Sequence, residues 1–300
     1  MYSQFNQTKK TKMNSALSKI VGASMLVAAS LSVAQAAPLN IQPVIGSASG
    51  FHVTSSLIKG EKEMILVDGQ FLQSDAHRLV AQMLETGLSL KSIVITHAHP
   101  DHYFGLDVVL KSFPNTPIYA APEVVTEMAV MSPKKMKQWK PVFGNNLTNN
   151  PVTATPLASN TLMLEGESIE LIKIGQADTH DTTAFYVPSA KTIIAGDLAY
   201  KDIHPWTAET NNASRKDWIK NLEKLNKLGA SKIIAGHMLE NSDTDISAVL
   251  NFNKTYLTQF NRAVSDTSSV EEMRTQVFSN YPDLQLPIIA EIGVKVAKSN

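Results

Sequence analysis

The sequence predicts an α+β fold built in layers, with two β-rich halves in succession. Three observations predict it. Short apolar runs of strand character alternate with amphipathic helical stretches over residues 51–280. The alternation runs twice, on either side of an irregular middle. Residues with chemical potential follow directly on apolar strands four times, at Asp68, at His97–His102, at Asp197 and at His237. In layered folds, ligands sit beyond the strand ends, where the chain turns at one sheet edge.

The elements follow in order. Phe51–Ile58 and Glu63–Val67 read as strands, the second ending on Asp68-Gly69. Ser74–Thr86 has helical spacing, with Ala76, Leu79, Val80, Met83 and Leu84 on one face. Ser92–Thr96 is a compact apolar strand that runs into the histidine cluster. Phe104–Ser112 then reads as helix, Pro117–Ala120 as strand and Pro122–Val130 as helix. Ser132–Asn150 mixes basic, aromatic and turn residues, and reads as a long loop or a loose helical insert. Met131–Asn150 is a candidate lid. The second half has strands at Thr161–Leu164, Ser168–Ile174, Thr182–Val187 and Thr192–Ala195. Ser214–Lys227 is an amphipathic helix with Trp218, Leu222 and Leu225 on one side. Lys232–Ala235 is a last buried strand, ending on Gly236-His237. Asp245–Val264 and Val270–Asn280 read as C-terminal helices.

Residues 1–36 read as an export signal. Lys9, Lys10, Lys12 and Lys19 form a basic start, Ile20–Val33 is an apolar run, and Ala34-Gln35-Ala36 has the small-x-small pattern of a cleavage site. The run is short for a membrane span, which needs about 20 apolar residues. The expected mature chain, 37–300, is one domain with C-terminal helices from about residue 245, periplasmic or secreted. Without the segment, 23 basic residues face 27 acidic ones, a net charge of −4. That argues against a nucleic-acid partner, since phosphate binding needs concentrated Lys and Arg. No other stretch suits a bilayer. There is no cysteine, so the fold rests on its core or on bound metal, and any metal site uses nitrogen and oxygen ligands.

The cluster His97-Ala98-His99-Pro100-Asp101-His102 holds three of the eight histidines. His97 and His99, two residues apart, can reach one point from an extended or turning backbone. Pro100 breaks the strand direction, so Asp101 and His102 point to a second, neighbouring position. Four ligands cannot reach one ion from six residues without strain, whereas two partly filled ions fit. His180, Asp197 and His237 then supply what is missing, each from a later turn. Glycine before Asp197 and before His237 lets the backbone turn tightly into a crowded pocket. Imidazole and carboxylate without thiolate suit zinc, with manganese or iron as substitutes.

These motifs, as HAHPDH with Asp68, His180, Gly196-Asp197 and Gly236-His237 in order, resemble the metallo-β-lactamase-fold hydrolase superfamily from roughly Pro43 to Met238. The resemblance implies a four-layered αβ/βα sandwich, two sheets face to face with helices outside. It implies one metal on His97, His99 and His180, and a second on Asp101, His102 and His237. Asp197 would bridge them, and Asp68 would orient a ligand histidine. It further implies two zinc ions, a metal-activated hydroxide as nucleophile and Asp101 as the proton carrier. The di-iron redox members carry glutamate where His99 stands, so histidine there favours hydrolysis.

The substrate is less legible, because one fold hosts many chemistries. Lack of cysteine excludes the cysteine-ligand β-lactamases, and Asp197 counts against the all-histidine ones. No basic exosite suits the nucleases, and residues 245–300 carry no cationic cluster for glutathione. A small-molecule carboxylic ester or lactone is the preferred substrate. Alternatives are a β-lactamase-like amide, a phosphoester or organophosphate, or a metal-binding protein without turnover. Tyr200, His204 and Trp206, in the loop after Asp197, are candidates for substrate contact.

Overall fold

A computed structural model of the chain describes residues 37–299, so the export-signal reading of 1–36 lies outside the described residues. The first sheet has six strands, β1 (Asn40–Ile45), β2 (Thr54–Lys59), β3 (Glu63–Val67), β4 (Ser89–Ile95), β5 (Ile118–Ala120) and β6 (Thr155–Pro156), in that spatial order. Pairing is antiparallel from β1 to β3 and parallel from β3 to β6. The second sheet has β7 (Thr161–Leu164), β8 (Glu167–Gly175), β9 (Thr182–Val187), β10 (Thr192–Ile194) and β11 (Lys232–Ile234), in the order β11-β10-β9-β8-β7. Only the β10–β11 pair there is parallel.

The apolar residues dictate the layers. Met64–Val67 of β3 are buried on both faces, as continuous apolar strands must be. One core joins Leu57, Ile65 and Ile93 of the first sheet to Leu171 and Phe185 of the second, and extends to Leu79 and Met83 of helix α1 (Gln73–Glu85). A second core lies on the other side of the second sheet. It joins Ile193 and Ile233 to Trp218 and Leu222 of α4 (Asn212–Leu225) and to Leu250 and Leu257 of α5 (Ile246–Asp266). The order is helix, sheet, sheet, helix. Helices α2 (Leu106–Ser112) and α3 (Pro122–Phe143) continue the first outer layer, and α6 (Val270–Asn280) and α7 (Pro287–Ser299) pack on α5. No helix among the described residues is long and apolar enough to cross a membrane.

The structure decides one open reading and corrects three others. As far as Phe143 the middle segment is the helical insert rather than the loop, because α3 runs through Pro133 and Pro141 to that residue. Each internal proline costs a helix about 3 kcal/mol. Packing of the half-buried Met136, Trp139 and Phe143 against the first core offsets that cost. Strand β1 is absent from the sequence reading because Pro43 lies within it. It is tolerated because β1 is an edge strand. Helix α7 was hidden by Gly293, where a side chain would collide with Thr207. Leu84 does not share the buried face of α1 but is exposed.

His204 is not at the site. It is buried in the C-terminal layer, its Nδ1 3.0 Å from the Tyr256 hydroxyl and its ring 5.4 Å from that of Phe278. Burial pushes it down to about 4 from the ordinary 6.5. An unfolded chain therefore takes up a proton that the folded chain refuses. The resulting stability is complete above pH 6.5 and is lost as pH falls towards 4. Its size is at most about 3 kcal/mol. Urea midpoints across this window should fall less steeply in His204→Gln than in the wild type. Equal slopes would remove His204 as the cause.

Candidate active site

The chemically active side chains stand at strand ends on one edge of both sheets. Asp68 follows β3, and His97–His102 follow β4. Asp178 lies between β8 and β9, Asp197 in the turn after β10, and His237 just after β11. Two backbone devices close the edge. Thr183 donates to the Thr96 carbonyl through both its amide (3.0 Å) and its hydroxyl (2.7 Å), tying β9 to β4. Gly196 has φ +51°, and Gly236 leaves no room for a Cβ against the Asp197 carboxylate. These glycines let the turns bearing Asp197 and His237 meet, with the Gly236 amide donating to the Gly196 carbonyl at 2.9 Å.

The histidines share one construction. His97 Nδ1 lies 2.9 Å from Thr96 Oγ1. His102 Nδ1 lies 2.8 Å from Asp68 Oδ2. His237 Nδ1 lies 2.7 Å from the Phe51 carbonyl. His99 is turned the other way, with Nε2 3.3 Å from Glu209 Oε2. The remaining ring nitrogen of each faces a shared space with three carboxylates. His99 Nδ1 is 2.9 Å from Asp178 Oδ2, and His102 Nε2 is 3.0 Å from Asp197 Oδ1. His237 Nε2 is 3.2 Å from both Asp101 Oδ2 and Asp197 Oδ2. Asp68 is itself fixed by the Thr96 amide at 2.9 Å and hydroxyl at 2.8 Å.

Four of the inward atoms are buried without an aligned hydrogen bond: His97 Nε2, His102 Nε2, Asp178 Oδ2 and Asp197 Oδ1. Orphaned donors and acceptors at the same spot are costly and mark a place for a cation. The atoms fall into two groups of ligand-like spacing. His97, His99, Asp178 and Asp197 form one, and Asp101, His102 and His237 form the other. Asp197 touches both, through His102 and His237. The electrostatics agree. Burial pushes the Asp178 carboxyl up to about 7 despite His99 beside it. Burial opposes the charge on Asp101 too, but His102 and His237 hold it well below the usual carboxylate range.

Of the residues expected to ligate, His97, His99, Asp101, His102, Asp197 and His237 come together, and His180 does not. His180 is 65% exposed and paired with Asp181 (2.8 Å) and Glu127 (3.3 Å). Its place is taken by Asp178, two residues earlier and fully buried. A bond from the Ala177 amide to the Thr179 carbonyl closes the turn around Asp178, and Asp181 then adopts φ +58°. The turn thus points Asp178 inward and His180 outward. Spacing could not choose among Asp178, His180 and Asp181. Residue preference favoured the histidine.

Tyr200 donates to Asp197 Oδ2 at 2.6 Å and stacks on His237 with ring centroids 5.2 Å apart. Its backbone is gripped at both ends by Asn253 of α5, at 2.9 and 2.8 Å. Neither Asn253 nor Glu209 carries a motif, so sequence reading passed over both. Tyr200 and Trp206 line a cavity of about 350 Å³ with His99, Asp101, Asp197 and His237, and the far half of α3 forms one wall.

Fold and site together define a metal-dependent hydrolase. The chain belongs to the metallo-β-lactamase superfamily, whose family model matches residues 48–237. Among solved structures it is similar to a metallo-β-lactamase family protein from Thermus thermophilus, with 20% identity and a TM-score of 0.62 over 87% of this chain and 91% of that one. It also resembles a metallo-β-lactamase from Pontibacter korlensis (18% identity, TM-score 0.55, 75% and 96% covered). The DIM-1 metallo-β-lactamase is similar at 19% identity and a TM-score of 0.54, with 75% and 98% covered. Identities this low speak for the fold alone. A search of curated proteins found no significant sequence match.

The exchange of His180 for Asp178 gives a direct check. Asp178→Ala is expected to lose one of two bound metal equivalents after dialysis, measured by elemental analysis. His180→Ala should keep both. The reverse pattern would put His180 back among the ligands.

Proposed function

We propose that the protein is an exported dinuclear zinc hydrolase of carboxylic esters or lactones, with manganese or iron as substitute metals. The observation that carries this reading is the shared construction of the four histidines. Each has one nitrogen held by an outer oxygen and the other turned onto buried carboxylates at a cavity wall. His97, His99, Asp178 and Asp197 would hold one ion, and Asp101, His102, His237 and Asp197 the other. Bound divalent cations supply Lewis-acid polarisation of the scissile carbonyl and a hydroxide source near neutral pH.

The chain's own residues do the rest. Asp68, Thr96, Glu209 and the Phe51 carbonyl fix ring orientation and tautomer, so each histidine presents a lone pair inward. Asp101 Oδ2 is on the cavity side, 13% exposed, where a proton released beside it can be taken up. It is the group placed to carry that proton to the leaving oxygen. The apolar cavity walls keep bulk water from the reacting bond. Three carboxylates with four imidazoles leave little net positive charge for a phosphate, which supports a carbonyl substrate over a phosphoester.

Two expectations follow. Chelation should abolish hydrolysis of an aryl ester and added zinc should restore it. Asp101→Asn should lower kcat by about 10²–10⁴-fold, the usual contribution of a positioned proton carrier. Full activity of metal-free protein would sink the reading. Export is tested by sequencing the N-terminus of the protein made in a bacterial host. The expected start is Ala37, and an intact Met1 or Met13 would contradict it.

A further inference from the structure

We infer that the cavity beside the metal cluster is a slot for an uncharged, apolar chain or ring, so that the enzyme takes neutral hydrophobic esters or lactones and discriminates against charged ones. This rests on the hydrolase reading above and narrows its substrate class. Two helices build the slot, and neither carries a recognisable motif. The far half of α3 contributes Trp139, Val142 and Phe143, and α7 contributes Ile288, Ile289 and Ile292. Trp139 and Phe143 pack with Phe51 and Phe71 at centroid distances of 5.2 to 5.9 Å for most pairs, a rigid aromatic wall.

Charge at the slot is already spent. Among the lining residues away from the metal cluster, the charged ones are Lys135 and Glu209. Lys135 Nζ is 2.9 Å from Glu209 Oε1, and the other oxygen of Glu209 is occupied by His99. The lysine is therefore cancelled and cannot receive a substrate carboxylate without giving up its contact with Glu209, the residue that orients His99. Isolating a carboxylate among apolar walls is expensive. The volume, about 350 Å³, falls in the range of about 300–1,000 Å³ typical of small-molecule sites. At its mouth Val142 and Ile288 are 65% and 52% exposed. Both line the cavity, where an apolar substrate would cover them.

The experiment uses zinc-loaded protein and two probes. The first is a series of p-nitrophenyl esters of straight-chain acids, with ω-carboxylated counterparts of equal length. The second is a series of 1-alkanols, which cannot be hydrolysed, followed by the fluorescence of Trp139 and Trp206. We expect kcat/KM and alkanol affinity to rise by roughly fourfold per methylene until the slot is full. The ω-carboxylate should forfeit that gain. Val142→Asp and Ile288→Asp, both at exposed positions, should lower kcat/KM for long esters about tenfold relative to the acetate ester and so flatten the chain-length profile. A flat chain-length profile in active enzyme, with no alkanol binding, would overturn the slot and leave the hydrolase reading standing. Chain-length-dependent alkanol binding without ester turnover would support the slot and sink the hydrolase reading. Changed sedimentation in the two variants with unchanged chain-length dependence would mark a contact between copies instead, and would also overturn the proposal.

Discussion

Four imidazoles and three carboxylates buried at one point are the constraint on which the rest of the structure depends. Their inward atoms lie 2.9 to 3.7 Å apart, and several lack aligned hydrogen bonds. Such a group is not a stabilising core. Burial of charge costs several kcal/mol per ion unless opposite charge repays it, and Asp178, pushed up to about 7, records that cost. Cations repay it. The surrounding protein is arranged to keep the ligands converging while it does so. It provides an outer oxygen for every histidine, two hydrogen bonds to Asp68, and a tyrosine hydroxyl on Asp197.

The layers explain how such a centre can be assembled from residues more than a hundred positions apart. Each sheet brings its strands' ends to the same edge, so a ligand needs only to lie in the turn that follows a strand. The first sheet supplies the HAHPDH turn and Asp68. The second supplies Asp178, Asp197 and His237. The two are locked together by Thr183 on Thr96 and by the paired glycines Gly196 and Gly236. The outer helices then complete the cavity. Helices α3 and α7 wall the cavity, and α5 sets Tyr200 through Asn253.

Much of this was legible in the sequence, and the reasons divide cleanly. Buried strands such as β3, β4 and β10 were readable because burial on both faces forces a continuous apolar run. The HAHPDH turn was readable because so many ligands in six residues have no cheaper explanation. The parts that were not readable depend on tertiary contact. Helix α3 crosses two prolines because Trp139 and Phe143 pack against the first core, which no local preference reveals. Strand β1 keeps Pro43 because it happens to be at an edge. His180 lost its place to Asp178 because of how one turn closes, and His204 went to the C-terminal layer rather than to the cavity. A histidine is the better ligand by residue type, but side-chain direction in a tight turn is set by the backbone.

The central claim is that four histidines, and not His180, face the metals. Proton NMR of the cobalt(II)-loaded protein tests this most directly, because each liganded imidazole gives one strongly shifted, exchangeable N–H signal. The outer nitrogens of His97, His99, His102 and His237 are each held by an oxygen and so protected from exchange. Four such signals are predicted, all of them retained in His180→Ala. A fifth signal that disappears in His180→Ala would contradict the account.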